Sequence, residues 1–124
     1  MNISDAKATD FTSLVDLDQL DASVAGDPGL KREIVDLYFQ QAGEIMPKLA
    51  KAIEMGDVPE VNHLSHKLAG SSLSCGMTAV VAPLRELEHN ARAGHLNGAQ
   101  DLFANVGVQM EAMQQFMQKH LPKP

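Results

Sequence analysis

Gly56 and Asp57 stand side by side where one helical pattern stops and the next begins, and this junction constrains the fold more than any other feature of the chain. Upstream, Asp27 reads as an N-cap, Pro28 as the first helical residue and Gly56 as the stop of one long helix. Downstream, Asp57 opens the next helix with Pro59 close behind, and its pattern runs to about Cys75. Two long helices with no linker between them must fold back on each other antiparallel.

The rest of the chain continues in the same style. "DLDQLDASVAG" predicts a short helix ended by Gly26. A fourth pattern covers about 78–93 and stops at Gly94; its start is left open, because Pro83 suits a first turn better than an interior. The last, about 97–120, carries Phe103, Val106, Met110, Met113 and Met117 on one stripe. Pro47 falls inside the second pattern and predicts a kink. Strand signals are weak: the chain has four Phe, one Tyr and no Trp, and Ala, Leu, Met, Gln and Glu dominate. The expected fold is therefore all-α, an antiparallel four-helix bundle with a short extra N-terminal helix, over residues 14–124. Residues 1–13 are polar and non-periodic and predict a flexible tail.

Charge and composition exclude several functions. A net charge of −6 argues against nucleic acid or an anionic membrane as partner, since both select basic surfaces. Cys75 is the single cysteine, so no intramolecular disulfide framework exists and a reducing compartment is favoured. The opening "MNISDAKATDFTS" has no apolar signal core, and no run approaches the ~18 apolar residues of a membrane span. A cytoplasmic chain is expected.

On a helical wheel of the third helix, Val61, Leu64, Leu68, Ser72 and Cys75 share one stripe, the expected core face. His66 and Gly70 fall well away from it, flanked by His63 and Leu73. Glycine in a helix interior costs roughly 0.5–1 kcal/mol relative to alanine, so an outward Gly70 needs a reason other than packing. Removing the side chain beside an exposed imidazole lets another macromolecule come close, and the small Ala69, Ser71 and Ser72 keep the surroundings low. Taken singly, each residue has a plainer reading: a solvated surface histidine, a tolerated glycine, small core fillers at Ser72 and Cys75. A metal site built from His63, His66, His89, Glu86 and Glu88 is a further alternative, though ligands in bundles usually project inward.

"VNHLSHKLAGSSLSCG" resembles the signature of histidine-containing phosphotransfer (HPt) domains, with His66, Leu68, Gly70, Ser71, Ser72 and Gly76 in the family's places. The likeness continues in "PLRELEHNARAGH" through Leu87, Glu88, Ala91, Arg92 and Gly94, and covers about residues 30–95. One departure stands out: the family's common lysine three residues after the histidine is Ala69 here, while Lys67 directly follows His66.

The resemblance implies a phosphocarrier rather than an enzyme. His66 would accept a phosphoryl group from a receiver's aspartyl phosphate and pass it to another receiver. Such chemistry needs one imidazole nitrogen exposed as nucleophile and the other held as a hydrogen-bonded donor. Glu88 occupies the place of the orienting side chain; the alternative for it is a plain surface pair with Arg92 four residues on. The resemblance gives Lys67 the role of stabilising phosphoryl charge, and puts His63, Gly70, Leu73 and Ala69 on the docking surface. No cofactor of its own is implied, Mg²⁺ being supplied by the receiver. The implied partners are response-regulator receiver domains and a hybrid sensor histidine kinase, met by a monomer. The alternatives are a docking module that works without phosphorylation and the metal-binding bundle.

Overall fold

A computed structural model describes residues 14–121, so the tail expected over 1–13 lies outside the described residues. These residues form α1 (Leu17–Ser23), α2 (Pro28–Met55), α3 (Val58–Ser74), α4 (Val81–Arg92) and α5 (Ala99–His120), with a 3₁₀ turn at Thr78–Val80, and no strand occurs among them. Three helices open the same way. Asp16, Asp27 and Asp57 each accept a hydrogen bond from the backbone N–H three residues on, at 3.1, 3.0 and 3.2 Å. Such caps stabilise a helix by ~1 kcal/mol each.

The Gly56–Asp57 junction behaves as its sequence predicts. Gly56 adopts a left-handed φ of 69°, and the N–H groups of Gly56 and Asp57 close onto the carbonyls of Ile53 and Ala52. Asp57 caps α3 at once, which sends α3 back along α2. Pro47 sits on the exposed face of α2 and does not end it; α2 runs on as one 28-residue helix. The fourth predicted helix starts later than expected. Residues 78–80 form the 3₁₀ turn, and Pro83 lies in the first turn of α4, where its missing N–H has no helical partner to lose.

Consecutive long helices pack as neighbours, and α5 returns to touch α2, closing the bundle. Leu49, Val61, Leu68, Leu84, Leu87, Val106, Met113 and Met117 fill the centre. Each large apolar side chain removed from water contributes ~1.5–3 kcal/mol before entropy is counted. The methionine stripe of α5 is therefore core, with Phe103 half-buried at its edge. Helix α1 lies across one end of the bundle. Asp16 N–H donates to the Gly76 carbonyl at 2.7 Å, Gln19 reaches the Ser74 carbonyl at 3.1 Å, and Leu20 and Val24 are buried.

Candidate functional site

Helix α3 packs against both α2 and α4, so its buried arc is wider than one stripe. Val61, Leu64, Leu68 and Ser72 lie inside as predicted, and Cys75 at the helix end is half-buried. Ser65, and Ala69, which was expected at the surface, are also fully buried. The expectation that Ala69 belongs to a docking surface is therefore corrected: the second neighbouring helix covers it. His66 and Asn62 sit at the edge of this arc, where α3 and α4 meet.

At that edge Nδ1 of His66 lies 2.6 Å from Oε2 of Glu88. The histidine side chain is 66% exposed, whereas that of Glu88 is 6% exposed. Arg85 donates to Oε1 and Arg92 to Oε2 of the same carboxylate, both at 2.8 Å. Asn62 donates to the Glu88 backbone carbonyl at 3.0 Å and ties the two helices together at this level. Burial by itself pushes the Glu88 carboxyl upward, but the hydrogen bonds from Arg85 and His66 outweigh it and hold the group below the ordinary carboxylate range. An ionised carboxylate only accepts, so the proton between the two groups belongs on Nδ1. Nε2 is left with its lone pair on the far side of an exposed ring.

Glu88 thus holds both partners weighed for it, His66 and Arg92, and it does so as a buried group rather than a surface one. Lys67 is exposed and, among the described residues, makes no hydrogen bond or ion pair with His66 or Glu88. His63 and Leu73 are exposed on the same face as His66, and a Cβ built at Gly70 meets nothing within 4 Å. The glycine next to the imidazole therefore borders open space. Beside it, a shallow groove of about 510 Å³ runs between α3 and α2, lined by Ile34, Leu37, Gln41, Gly70, Ser71 and Ser74 among others.

Sequence reasoning missed Asn62, Arg85 and the α2 wall of this groove. Arg85 was accessible in principle, three residues before Glu88 on a helix, the spacing of a side-chain pair. The α2 wall was not, because it depends on how two helices pair. Gly76, matched to the signature at the sequence level, has its reason elsewhere: its φ is +76°, and a Cβ there would stand 2.3 Å from the Asp16 carbonyl oxygen. Among the described residues no group of three or more His, Cys, Asp or Glu side chains is placed to hold a metal ion.

The sequence matches the Hpt domain family over residues 33–119, which spans His66 and its whole setting. The chain belongs to the Hpt domain family. Hpt domains serve histidine phosphotransfer in two-component signalling, and they are phosphocarriers rather than kinases. They work with receiver domains and histidine kinases. The chain is also similar to the sensor histidine kinase AruS of Pseudomonas aeruginosa, 42% identical over 48 residues, which is 39% of this chain and 5% of that protein. The chain thus corresponds to a small part of this relative's length. Among the described residues no helix of this Hpt domain is long and apolar enough to cross a membrane.

Proposed function

We propose that His66 is the phospho-acceptor of this Hpt domain, taking a phosphoryl group from the aspartyl phosphate of one receiver domain and giving it to another. The observation that carries the reading is the 2.6 Å contact between Nδ1 of His66 and buried Glu88 beneath a ring that is otherwise exposed. In the transfer, the Nε2 lone pair forms the N–P bond while the bond from phosphorus to the aspartyl oxygen breaks. The electron pair leaves with the carboxylate, and Nδ1 keeps its proton throughout. Glu88 orients the ring and fixes its tautomer; Lys67 is the exposed cation beside the acceptor and compensates phosphoryl charge. Mg²⁺ comes with the receiver, and so does most of the electrophilic assistance.

The docking surface consists of His63, Gly70 and Leu73 on α3, extended by Ile34 and Leu37 on α2. Its support is open space at Gly70, the exposed Leu37 and Leu73, and the groove that joins Gly70 to Ile34 and Leu37. The domain acts in the cytoplasm as a monomer, with receivers and a hybrid sensor kinase as its partners.

The test is transfer of radiolabelled phosphoryl from loaded receivers to the wild type and to His66→Gln. Label that is acid-labile and base-stable on the wild type, and absent from the folded variant, is the expected result. Normal labelling of His66→Gln moves the acceptor elsewhere. Receiver binding without any labelling makes the chain a docking module.

A further inference from the structure

Glu88 has two carboxylate oxygens and three side-chain partners, divided unequally between them. Oε2 is shared by His66 and Arg92, while Oε1 is held by Arg85. The two arginines are also unequal, with Arg92 66% exposed and Arg85 40% exposed. Without Arg92, Oε2 keeps its bond to the imidazole and Oε1 keeps its arginine. Loss of Arg85 strips that donor from an oxygen whose side chain is 6% exposed, and water has little access to replace it.

The charge state of Glu88 decides which nitrogen of His66 can attack. As a carboxylate it only accepts, so the ring must donate from Nδ1 and Nε2 keeps its lone pair. As a carboxylic acid it would donate its O–H to Nδ1. The neutral ring would then carry its proton on Nε2, and the exposed nitrogen would have no lone pair to give.

We propose that Arg85 is a positioning residue for phosphoryl transfer: by holding Oε1 it keeps Glu88 charged and accepting, and so fixes the nucleophilic lone pair on Nε2 of His66. The proposal rests on His66 being the acceptor. Arg85 touches neither the phosphoryl group nor the ring. It acts through the carboxylate, across the width of one side chain.

The deciding measurement is the ring tautomer of His66, read from long-range ¹H–¹⁵N spectra of ¹⁵N-histidine-labelled protein with the ring neutral. Labelling by the small-molecule donor phosphoramidate is followed on the same samples. The wild type is expected to show the Nδ1–H form. Arg85→Met should move His66 toward the Nε2–H form and slow labelling on the order of tenfold, since a general-base or orienting contact of this kind commonly contributes that much or more. Arg85→Lys should restore both, and Arg92→Met should leave the tautomer in place. A folded Arg85→Met protein with the Nδ1–H form intact overturns the proposal. Should that variant lose its helical circular dichroism, Arg85→Ala, which likewise removes the donor and the charge, takes its place, and an unchanged tautomer there is equally fatal. Wild-type protein that takes no label at His66 sinks the acceptor assignment instead, and the nitrogen spectra still judge Arg85 without any donor present.

Discussion

The phenol of Tyr38 on α2 and the hydroxyl of Ser72 on α3 lie 2.6 Å apart inside the core. Ser72 also bonds the Leu68 carbonyl at 2.7 Å, and a carbonyl only accepts. The single serine proton is thus committed to Leu68, and Tyr38 is the donor in the pair. The two halves of the bond are therefore not equivalent on mutation. Tyr38→Phe removes a donor and leaves Ser72 bonded, with an expected cost of ~1 kcal/mol. Ser72→Ala strands a buried phenol O–H and should cost ~1–3 kcal/mol. Urea unfolding of both variants checks the order; equal or reversed costs would contradict this donor assignment.

Tyr38 also gives an alkaline signature. It is the only tyrosine in a chain without tryptophan, so near-ultraviolet absorbance follows this one side chain. Burial raises its pKa well above the ordinary tyrosine value. Because the folded value exceeds the unfolded one, the linked stability is intact below about pH 10 and declines as pH rises from there toward the folded value. Phenolate absorbance should therefore appear together with loss of helical circular dichroism. Ionisation while the helices remain intact would show that Tyr38 reaches water in the native state.

Glu88 responds at the acid end with the opposite sign. Its folded pKa lies below the ordinary value of 4.5, so its contribution is present above that value and is lost as pH falls through the folded one. Carboxyl ¹³C shifts should keep Glu88 ionised at a pH where exposed glutamates are already half protonated. Titration of Glu88 in step with those glutamates would mean that Arg85 and His66 do not hold it.

Gly70→Gln should separate stability from function. A side chain at 70 has room, since nothing lies within 4 Å of its Cβ, and glutamine is the better helix former by about half a kcal/mol. Yet position 70 lies one turn from His66, where an incoming aspartyl phosphate needs an approach of roughly 3–3.5 Å. The expected pair of results is an equal or higher melting temperature with receiver-dependent transfer largely lost. Transfer at the original rate would remove Gly70 from the docking surface.

Gly76→Ala should do the reverse. A left-handed φ costs a non-glycine residue about 1–3 kcal/mol where it is forced, and the new Cβ also runs into the Asp16 carbonyl oxygen at 2.3 Å. The melting temperature should fall by several degrees, with α1 losing amide-exchange protection, while labelling of His66 by phosphoramidate persists. A variant as stable as the wild type would mean that α1 is not pinned through this backbone contact.

The ends of the helices were legible in the sequence because the interactions that make them are local. Asp27, Asp57 and Gly56 each settle a boundary through bonds spanning three to five residues, and those bonds do not depend on what the helix packs against. The outward direction of His66 and Gly70 was legible for the same reason, since a wheel needs only the helix's own period. The start of α4 was less so, because a 3₁₀ turn and an α-turn differ by one hydrogen-bond step and the stretch before Pro83 suits both.

Local pattern along the chain is thus enough to specify the helices, their antiparallel order and the face that bears the histidine. The tertiary structure alone decided how wide the buried arc of α3 is, and so that Ala69 is core and not surface. It also decided that Glu88, a charged residue on a polar-looking helix, is buried at the α3–α4 edge with Arg85, Arg92 and His66 all bonded to it. Those facts depend on the rotation of one helix about its axis relative to another. That rotation is fixed by the summed packing of many side chains far apart in the chain, which no local pattern encodes.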